Sequence, residues 1–194
     1  MKDMEIRGAG NLLGRDQSGD VYSVGFDMYV RLLTDAINRL TKEGYKEERD
    51  VLIELEYSGF IPDTYVHSVQ TKMEIYKKVA AVQTKEELAG LCLEIEDRFG
   101  PIPDEVYSLM SLAEVRIIAR RLSVDSLKEK GGTVRVSFRQ ASDIPVDKFM
   151  RLLAGNPAQV KADFSDQKSF LLVCGKIGLK EKGEFIKEKL EALL

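Results

Sequence analysis

The residues most suggestive of chemistry lie near the N-terminus, where three glycines follow one another closely. Gly8, Gly10 and Gly14 have a GxGxxxG spacing. A dinucleotide-binding loop instead has GxGxxG directly after a strand, and a phosphate-binding loop ends in Gly-Lys-Ser or Gly-Lys-Thr. Neither pattern is present, so these glycines indicate a tight turn or a close backbone approach rather than a nucleotide site.

Nucleophiles, bases and metal ligands are too sparse in the sequence to build a catalytic site. His67 is the single histidine, and the two cysteines, Cys92 and Cys174, lie far apart within apolar patterns. A zinc site needs several Cys or His ligands, and a hydrolytic triad needs a base beside its nucleophile. The sequence therefore predicts no catalytic residue and no metal site, and the free thiols favour a reducing compartment.

Acidic residues are concentrated in 84–105, where seven carboxylates outnumber two basic residues. Glu87, Glu94 and Asp97 recur at i, i+7 and i+10, a spacing that places them on one face of a helix. We call these three residues the acidic ridge. One interpretation is a solvated helix face, and the other is a docking surface for a protein partner.

Basic residues are concentrated in 116–139, where seven Lys or Arg residues outnumber two acids. The first three are Arg116, Arg120 and Arg121. The C-terminus of a helix favours cations, which explains these arginines without a ligand. The same cluster is also a candidate contact for nucleic acid.

Composition describes an ordinary globular protein. Of the 194 residues, 44% are hydrophobic and 31% are charged, which provides enough apolar surface to offset the chain entropy lost on folding. The net charge of −3 creates no overall field that would attract a polyanion. No apolar run approaches the roughly 20 residues that cross a bilayer, and the N-terminus lacks the core of a signal peptide. These features predict a cytoplasmic protein with no membrane partner.

The elements that must position these residues alternate between helical and strand periodicity. Apolar spacing and caps predict helices from Phe26 to Leu40, after Ser68, after Thr84, after Pro103, over Val146–Leu153 and around Phe185–Leu193. Strands are predicted at Val51–Leu55, Thr133–Phe138, Val160–Phe164 and Phe170–Cys174. The predicted fold class is α+β, with a small antiparallel sheet and several packed amphipathic helices. A Gly-rich loop and a linker helix form residues 1–44, and residues 45–194 form the α+β domain.

Two stretches of the sequence resemble one known family. The first reads DMEIRGAGNLLG over 3–14 and continues as DQSG at 16–19 and VGFDMY at 24–29. The second joins PDTYV at 62–66 to EIEDRFGPIP at 94–103. Both resemble the C-terminal region of bacterial transcription-repair coupling factors, and the resemblance covers most of 3–140. The sequence departs from the family pattern at 67–73, so no partner contact is predicted for that helix start.

The resemblance implies a division of labour within a longer protein. Members of this family use ATP and Mg to move along double-stranded DNA, dislodge stalled RNA polymerase and recruit the repair protein UvrA. This sequence has none of the ATPase motifs, so the resemblance implies a non-catalytic fragment with no cofactor of its own. Arg7 and Gln17 match the arginine and glutamine of a translocation motif shared with the RecG helicase, although the preceding part of that hairpin is absent.

The resemblance also implies a role for the acidic ridge. In the family, the C-terminal domain packs against the UvrA-binding domain of the same polypeptide and masks it until the motor engages the polymerase. Glu94 and Asp97, with Glu87 at the margin, are therefore the candidate partner-docking residues. The alternative function is a nucleic-acid-binding accessory module of a RecG-like translocase, which would use the basic cluster and the segment around Arg7.

Overall fold

Residues 50–56, 59–175 and 177–194 are described by the computed structural model of the chain. A first strand is followed by three helices, a β-hairpin, a helix, a second pair of strands and a last helix. The helices are α1 (Val69–Ala81), α2 (Lys85–Phe99), α3 (Asp104–Arg121), α4 (Val146–Gly155) and α5 (Leu179–Glu191). The strands are β1 (Leu52–Glu54), β2 (Val124–Lys130), β3 (Thr133–Phe138), β4 (Val160–Ala162) and β5 (Ser169–Val173).

The described strands form one mixed sheet in the order β1-β2-β3-β5-β4. Pairing is antiparallel from β2 to β4, whereas β1 runs parallel to β2 with Ile53 opposite Leu127. The α+β class is confirmed, but the prediction of an antiparallel sheet is wrong at this edge. Three helices separate β1 from β2 in the sequence, and parallel neighbours need a crossover of such length.

Strand β2 has no clear signature in the sequence. Asp125, Lys128 and Lys130 make this segment polar, although Val124 and Leu127 are fully buried. The pairing register shifts between Val124 and Ser126, which breaks the alternation of buried and exposed residues. Two glycines with positive φ, at positions 131 and 132, then close the hairpin to β3.

The predicted ends of helices are confirmed where a capping residue marks them in the sequence. The Ser68 hydroxyl accepts a hydrogen bond from the backbone N–H of Thr71 at the start of α1, at 3.3 Å. Helix α2 ends at Gly100, whose φ is +88°. Strand β4, by contrast, ends at Ala162 rather than at the predicted Phe164. The carboxylate of Asp163 accepts hydrogen bonds from Ser165 and turns the chain, which leaves Phe164 99% exposed.

Two apolar cores lie on opposite sides of α3. The first lies between the sheet and helices α3 and α5, and it holds Phe138, Phe170 and Leu172. The second lies among α1, α2, α3 and the segment 61–66. Leu109 of α3 faces the second core and Ile118 faces the first, and both are 0% exposed. Helix α3 therefore fixes the position of α1 and α2 relative to the sheet.

The chain on the C-terminal side of β1 is held by close polar and backbone contacts. The N–H of Glu56 donates to the carboxylate of Glu129 at 3.0 Å, and the N–H of Gly131 donates to the carboxylate of Glu56 at 2.6 Å. Glu129 also pairs with Lys182 of α5, with 2.7 Å between Nζ and Oε1. Gly59 lies so close to α3 that an added Cβ would be 2.2 Å from a backbone nitrogen of that helix.

The predicted first part of the chain, residues 1–44, lies outside the described residues. The Gly-rich loop, the linker helix, the boundary at residue 44 and the roles of Arg7 and Gln17 therefore stay predictions. The described residues all fall within the predicted second part, 45–194.

Candidate docking surface

All three residues of the acidic ridge lie on helix α2, which is held in place by the rest of the domain. Its inner side packs into the second core through Leu88, Leu91 and Ile95, each at most 7% exposed. At its C-terminal end, the Tyr65 hydroxyl donates to the carbonyl oxygen of Gly100 at 2.7 Å. Since both the inner side and the C-terminal end are held, the outward-facing side chains project from a rigid helix.

Two members of the acidic ridge are engaged within the domain. The carboxylate of Glu94 accepts hydrogen bonds from Lys78 of α1 at 2.5 and 2.8 Å and from Arg98 at 3.2 Å. The hydrogen bonds and charges of Lys78 and Arg98 hold the pKa of Glu94 below its usual range. Glu87 accepts a hydrogen bond from the N–H of Gln83 at 2.8 Å and so takes part in capping α2. Both carboxylates reach the surface, but their charges already have local partners.

The third member, Asp97, is exposed and forms no ion pair with any described residue. It belongs to a set that recurs at i, i+4, i+7 and i+11, which places the set on one face opposite the buried leucines. We call this set the outer face of α2; it comprises Glu86, Gly90, Leu93 and Asp97. Leu93 is 67% exposed at the centre of this face. The acidic ridge predicted from the sequence includes Asp97 but misses Glu86 and Leu93, although helical spacing from the buried leucines identifies both.

Gly90 is expected to be replaceable by alanine with a gain in stability. It lies in the middle of α2, and nothing lies within 4 Å of the position that a Cβ would take. Because glycine costs a helix interior about 1 kcal/mol relative to alanine, Gly90→Ala should raise the free energy of unfolding by about 0.5 to 1 kcal/mol. Urea denaturation measures the change. Gly100→Ala is the control, and it should lower stability because φ at Gly100 is +88°. No gain in Gly90→Ala would contradict this account of the helix.

The three predicted nucleic-acid-contacting arginines do not form one surface. Arg116 is 3% exposed within α3, and burial takes its guanidinium out of reach of a phosphate group. Arg120 pairs with Asp50, with 2.8 Å between Nε and Oδ1. Burial alone would raise the pKa of Asp50, but the guanidinium of Arg120 and the charge of Arg116 outweigh it and hold that pKa below its usual range. Arg121 is exposed at the end of α3.

A cavity of about 220 Å³ lies among α2, α3 and α5. Its lining includes the apolar side chains of Leu88 and Met110, with Cys92 beside them and Lys85 and Glu114 as charged neighbours. Burial raises the pKa of the Cys92 thiol, and nearby carboxylates add to this effect, which disfavours a reactive thiolate.

Within 50–56, 59–175 and 177–194, no group of three or more His, Cys, Asp or Glu is arranged to hold a metal ion. None of the helices in the described part of the chain is long and apolar enough to cross a membrane.

Comparisons with known proteins agree with this fold and identify the family. The family model of the TRCF domain matches residues 55–149. The transcription-repair-coupling factor of Borreliella burgdorferi is 40% identical over 193 residues, which cover 100% of this chain and 17% of that protein. The Bacillus subtilis protein of the same name is 34% identical over 197 residues, covering 100% of this chain and 16% of that protein.

A solved structure matches the fold of the described domain. The crystal structure of the C-terminal domain of a transcription-repair coupling factor aligns with a TM-score of 0.60 and 23% identity, covering 74% of this chain and 94% of that one. The chain spans about a sixth of the length of the curated relatives it matches. The matched residues 55–149 contain α1, α2 and α3, and hence the outer face of α2. The chain therefore belongs to the transcription-repair coupling factor family, and residues 55–149 are its TRCF domain.

Proposed function

We propose that this chain is a non-catalytic regulatory region of a transcription-repair coupling factor. Its TRCF domain docks on the UvrA-binding domain of the same polypeptide and masks that domain until the DNA translocase engages stalled RNA polymerase. ATP and Mg act in the motor of the full-length protein, and this chain acts by being docked or released. UvrA, RNA polymerase and double-stranded DNA bind the full-length protein, and they are partners of this chain only indirectly.

The observation that carries this proposal is the carboxylate of Asp97. It projects from a rigid helix, beside an exposed leucine, and forms no ion pair with any described residue. A Lys or Arg of a docked partner can therefore pair with Asp97 without first displacing a cation of this domain. Charge pairs that lose water on docking set the orientation of the two surfaces, and losing one partner of such a pair weakens the contact.

Glu94 contributes to the same surface in a different way. Lys78 and Arg98 already hold its carboxylate, so a partner cation would share that carboxylate rather than supply its first contact. Glu94→Arg would also place a third cation beside Lys78 and Arg98 and disturb the packing of α1 on α2. Asp97→Arg is therefore the cleaner test of docking, and the double variant with Glu94→Arg is the stronger one.

The alternative function, a nucleic-acid-binding accessory module of a RecG-like translocase, has less support. Of the three predicted arginines, Arg116 is buried and Arg120 is paired with Asp50, so Arg121 alone retains an exposed guanidinium without a described ion pair. In the rest of the basic cluster, Lys128 pairs with Glu54 and Arg135 pairs with Asp163, so the cluster has fewer cations available to release counterions from DNA than its sequence suggests.

In the full-length protein, Asp97→Arg is expected to raise the affinity for UvrA about tenfold. Losing the charge pair favours the open form, and a tenfold shift corresponds to about 1.4 kcal/mol. Affinity is measured by titrating UvrA against wild-type and variant protein without ATP. Adding Glu94→Arg should raise it further.

Glu188→Arg is the matched control for this test. It makes the same change of charge on α5, where the side chain of Glu188 is 71% exposed and, among the described residues, pairs with its neighbour Lys189. The control should leave the affinity for UvrA unchanged. If folded Asp97→Arg and the double variant both bind UvrA as the wild type does, the masking role of this surface is wrong.

A further inference from the structure

The cavity among α2, α3 and α5 is lined largely by apolar side chains. They include Leu88 and Ala89 of α2, Met110 of α3 and Ile102 of the segment between these two helices. Its volume of about 220 Å³ exceeds the roughly 150 Å³ of an engineered apolar cavity that binds benzene. The cavity is therefore large enough for a small organic molecule with one ring.

The charged side chains that line the cavity are already paired within the domain. Lys85 pairs with Glu114, with 3.1 Å between Nζ and Oε1, and Glu114 also pairs with Lys187. Glu184 pairs with Lys187 at 2.7 Å and accepts a hydrogen bond from the Tyr107 hydroxyl at 3.1 Å. A charged ligand would have to break these pairs or lie unpaired against apolar side chains, whereas a neutral ligand would do neither.

The hydroxyl of Ser111 in the cavity wall has no hydrogen-bond partner among the described residues. Ser111 belongs to α3 and is 5% exposed. Its Oγ lies beside Gly183 of α5, where an added Cβ would be 2.3 Å from that oxygen. Rotation about the Cα–Cβ bond to another staggered position takes Oγ away from Gly183 and towards the cavity. Because a buried hydroxyl without a partner is costly, a ligand that bonds to it recovers that free energy.

We propose that this cavity binds a small neutral molecule that has an apolar ring and one hydroxyl group. The ring packs against Leu88 and Met110, and the hydroxyl group hydrogen-bonds to Ser111. The volume of the cavity limits the ligand to about one ring, the paired charges select a neutral molecule, and the unpartnered hydroxyl selects one with a polar group. This inference does not depend on masking of the UvrA-binding domain. Because three helices line the cavity, a bound ligand stabilises the packing of α5 against α2 and α3.

Phenol is the probe, because it combines a neutral ring with a hydroxyl group. Toluene lacks the hydroxyl group, and benzoate carries a charge. Titration of the chain with each probe, followed by backbone amide chemical shifts, gives both the affinity and the location of binding. We expect phenol to shift the amides around Leu88, Met110 and Gly183 with a dissociation constant of about 1 mM or lower. Toluene should shift the same amides, and benzoate should not.

Ser111→Ala removes the hydroxyl and leaves the cavity in place. This variant should weaken phenol binding about fivefold, which corresponds to one hydrogen bond, and should leave toluene binding unchanged. It should fold as the wild type does, because no hydrogen bond to a described residue is lost. An unchanged affinity for phenol, or an equal loss for phenol and toluene, would overturn the assignment of Ser111 as the ligand's partner.

Ala89→Leu tests the location of the site. Ala89 lines the cavity from an exposed position of α2, so a leucine there should fill the cavity without overpacking the core and should abolish binding of phenol and toluene. Ala154→Leu is the matched control, because Ala154 is exposed on α4 and does not line the cavity. This control should bind both probes as the wild type does.

Three results would overturn the proposal as a whole. If Ala89→Leu still binds phenol with the affinity of the wild type, phenol binds elsewhere. If phenol shifts no amide of α2, α3 or α5 at about 10 mM, a concentration tenfold above the expected dissociation constant, the cavity holds only water. If benzoate binds as tightly as phenol, the site does not select a neutral molecule.

Discussion

Replacing Lys182 with methionine is expected to lower the free energy of unfolding by about 3 to 5 kcal/mol. Lys182 of α5 pairs with Glu129 of β2, and the two side chains are 9% and 1% exposed. Methionine keeps the length of the side chain but removes the charge. The carboxylate of Glu129 would then remain buried, with the N–H of Glu56 as its one described donor. An uncompensated buried charge is far more costly than the loss of a surface pair.

Urea unfolding of the chain near neutral pH measures this effect. Lys180→Met is the matched control on the same helix, because the side chain of Lys180 is 50% exposed and lies 3.6 Å from the carboxylate of Asp104. The control should cost less than about 1 kcal/mol. Adding Glu129→Gln to Lys182→Met should recover part of the loss, because the buried charge is gone. A loss below about 1 kcal/mol in Lys182→Met would show that the pair is not the buried link between α5 and the sheet.

Replacing Gly59 with alanine is expected to destabilise the domain by about 3 kcal/mol. An added Cβ would lie 2.2 Å from the backbone nitrogen of Leu109 and 2.7 Å from the carbonyl oxygen of Glu105. Both atoms belong to the backbone of α3, so no side-chain rotation relieves the overlap. The segment must move away from α3, which also loosens Ile61 and Val66 in the second core.

Thermal unfolding monitored by circular dichroism measures this change, which should lower the melting temperature by about 10 °C. Gly155→Ala is the control, because nothing lies within 4 Å of the position that its Cβ would take. A melting temperature for Gly59→Ala within about 2 °C of the wild type would show that this segment does not rest against α3.

Local signals in the sequence predict the fold class and most element boundaries. Ser68, Thr84 and Gly100 act through neighbouring backbone groups, so their positions in the sequence are enough to define where helices begin and end. The parallel pairing of β1 with β2 depends instead on which strands meet after three helices. Strand β2 is missed because its bulge disturbs the alternation on which the prediction rests.

The candidate site is also predictable only where it depends on local signals in the sequence. Helical spacing finds Asp97, because that residue depends on α2 alone. The pairing of Glu94 with Lys78 is a contact between two helices, and spacing within one helix cannot reveal it. In the sequence, Arg116 belongs to a basic cluster. Helix α3, however, lies between two cores, so even a cation near its C-terminal end becomes buried.

The position of β1 has a mechanical consequence for a chain that continues before it. Asp50 is the first described residue before β1, so tension applied to the chain at that point is borne first by the contact of Asp50 with Arg120. Among the described strands, β1 is hydrogen-bonded to β2 alone, over three residue pairs. Peeling it away exposes Val51 and Ile53, each of which contributes about 1.5 to 3 kcal/mol by burial. The four antiparallel strands beyond it keep their own pairing, so β1 is the element that yields first when the preceding segment is pulled.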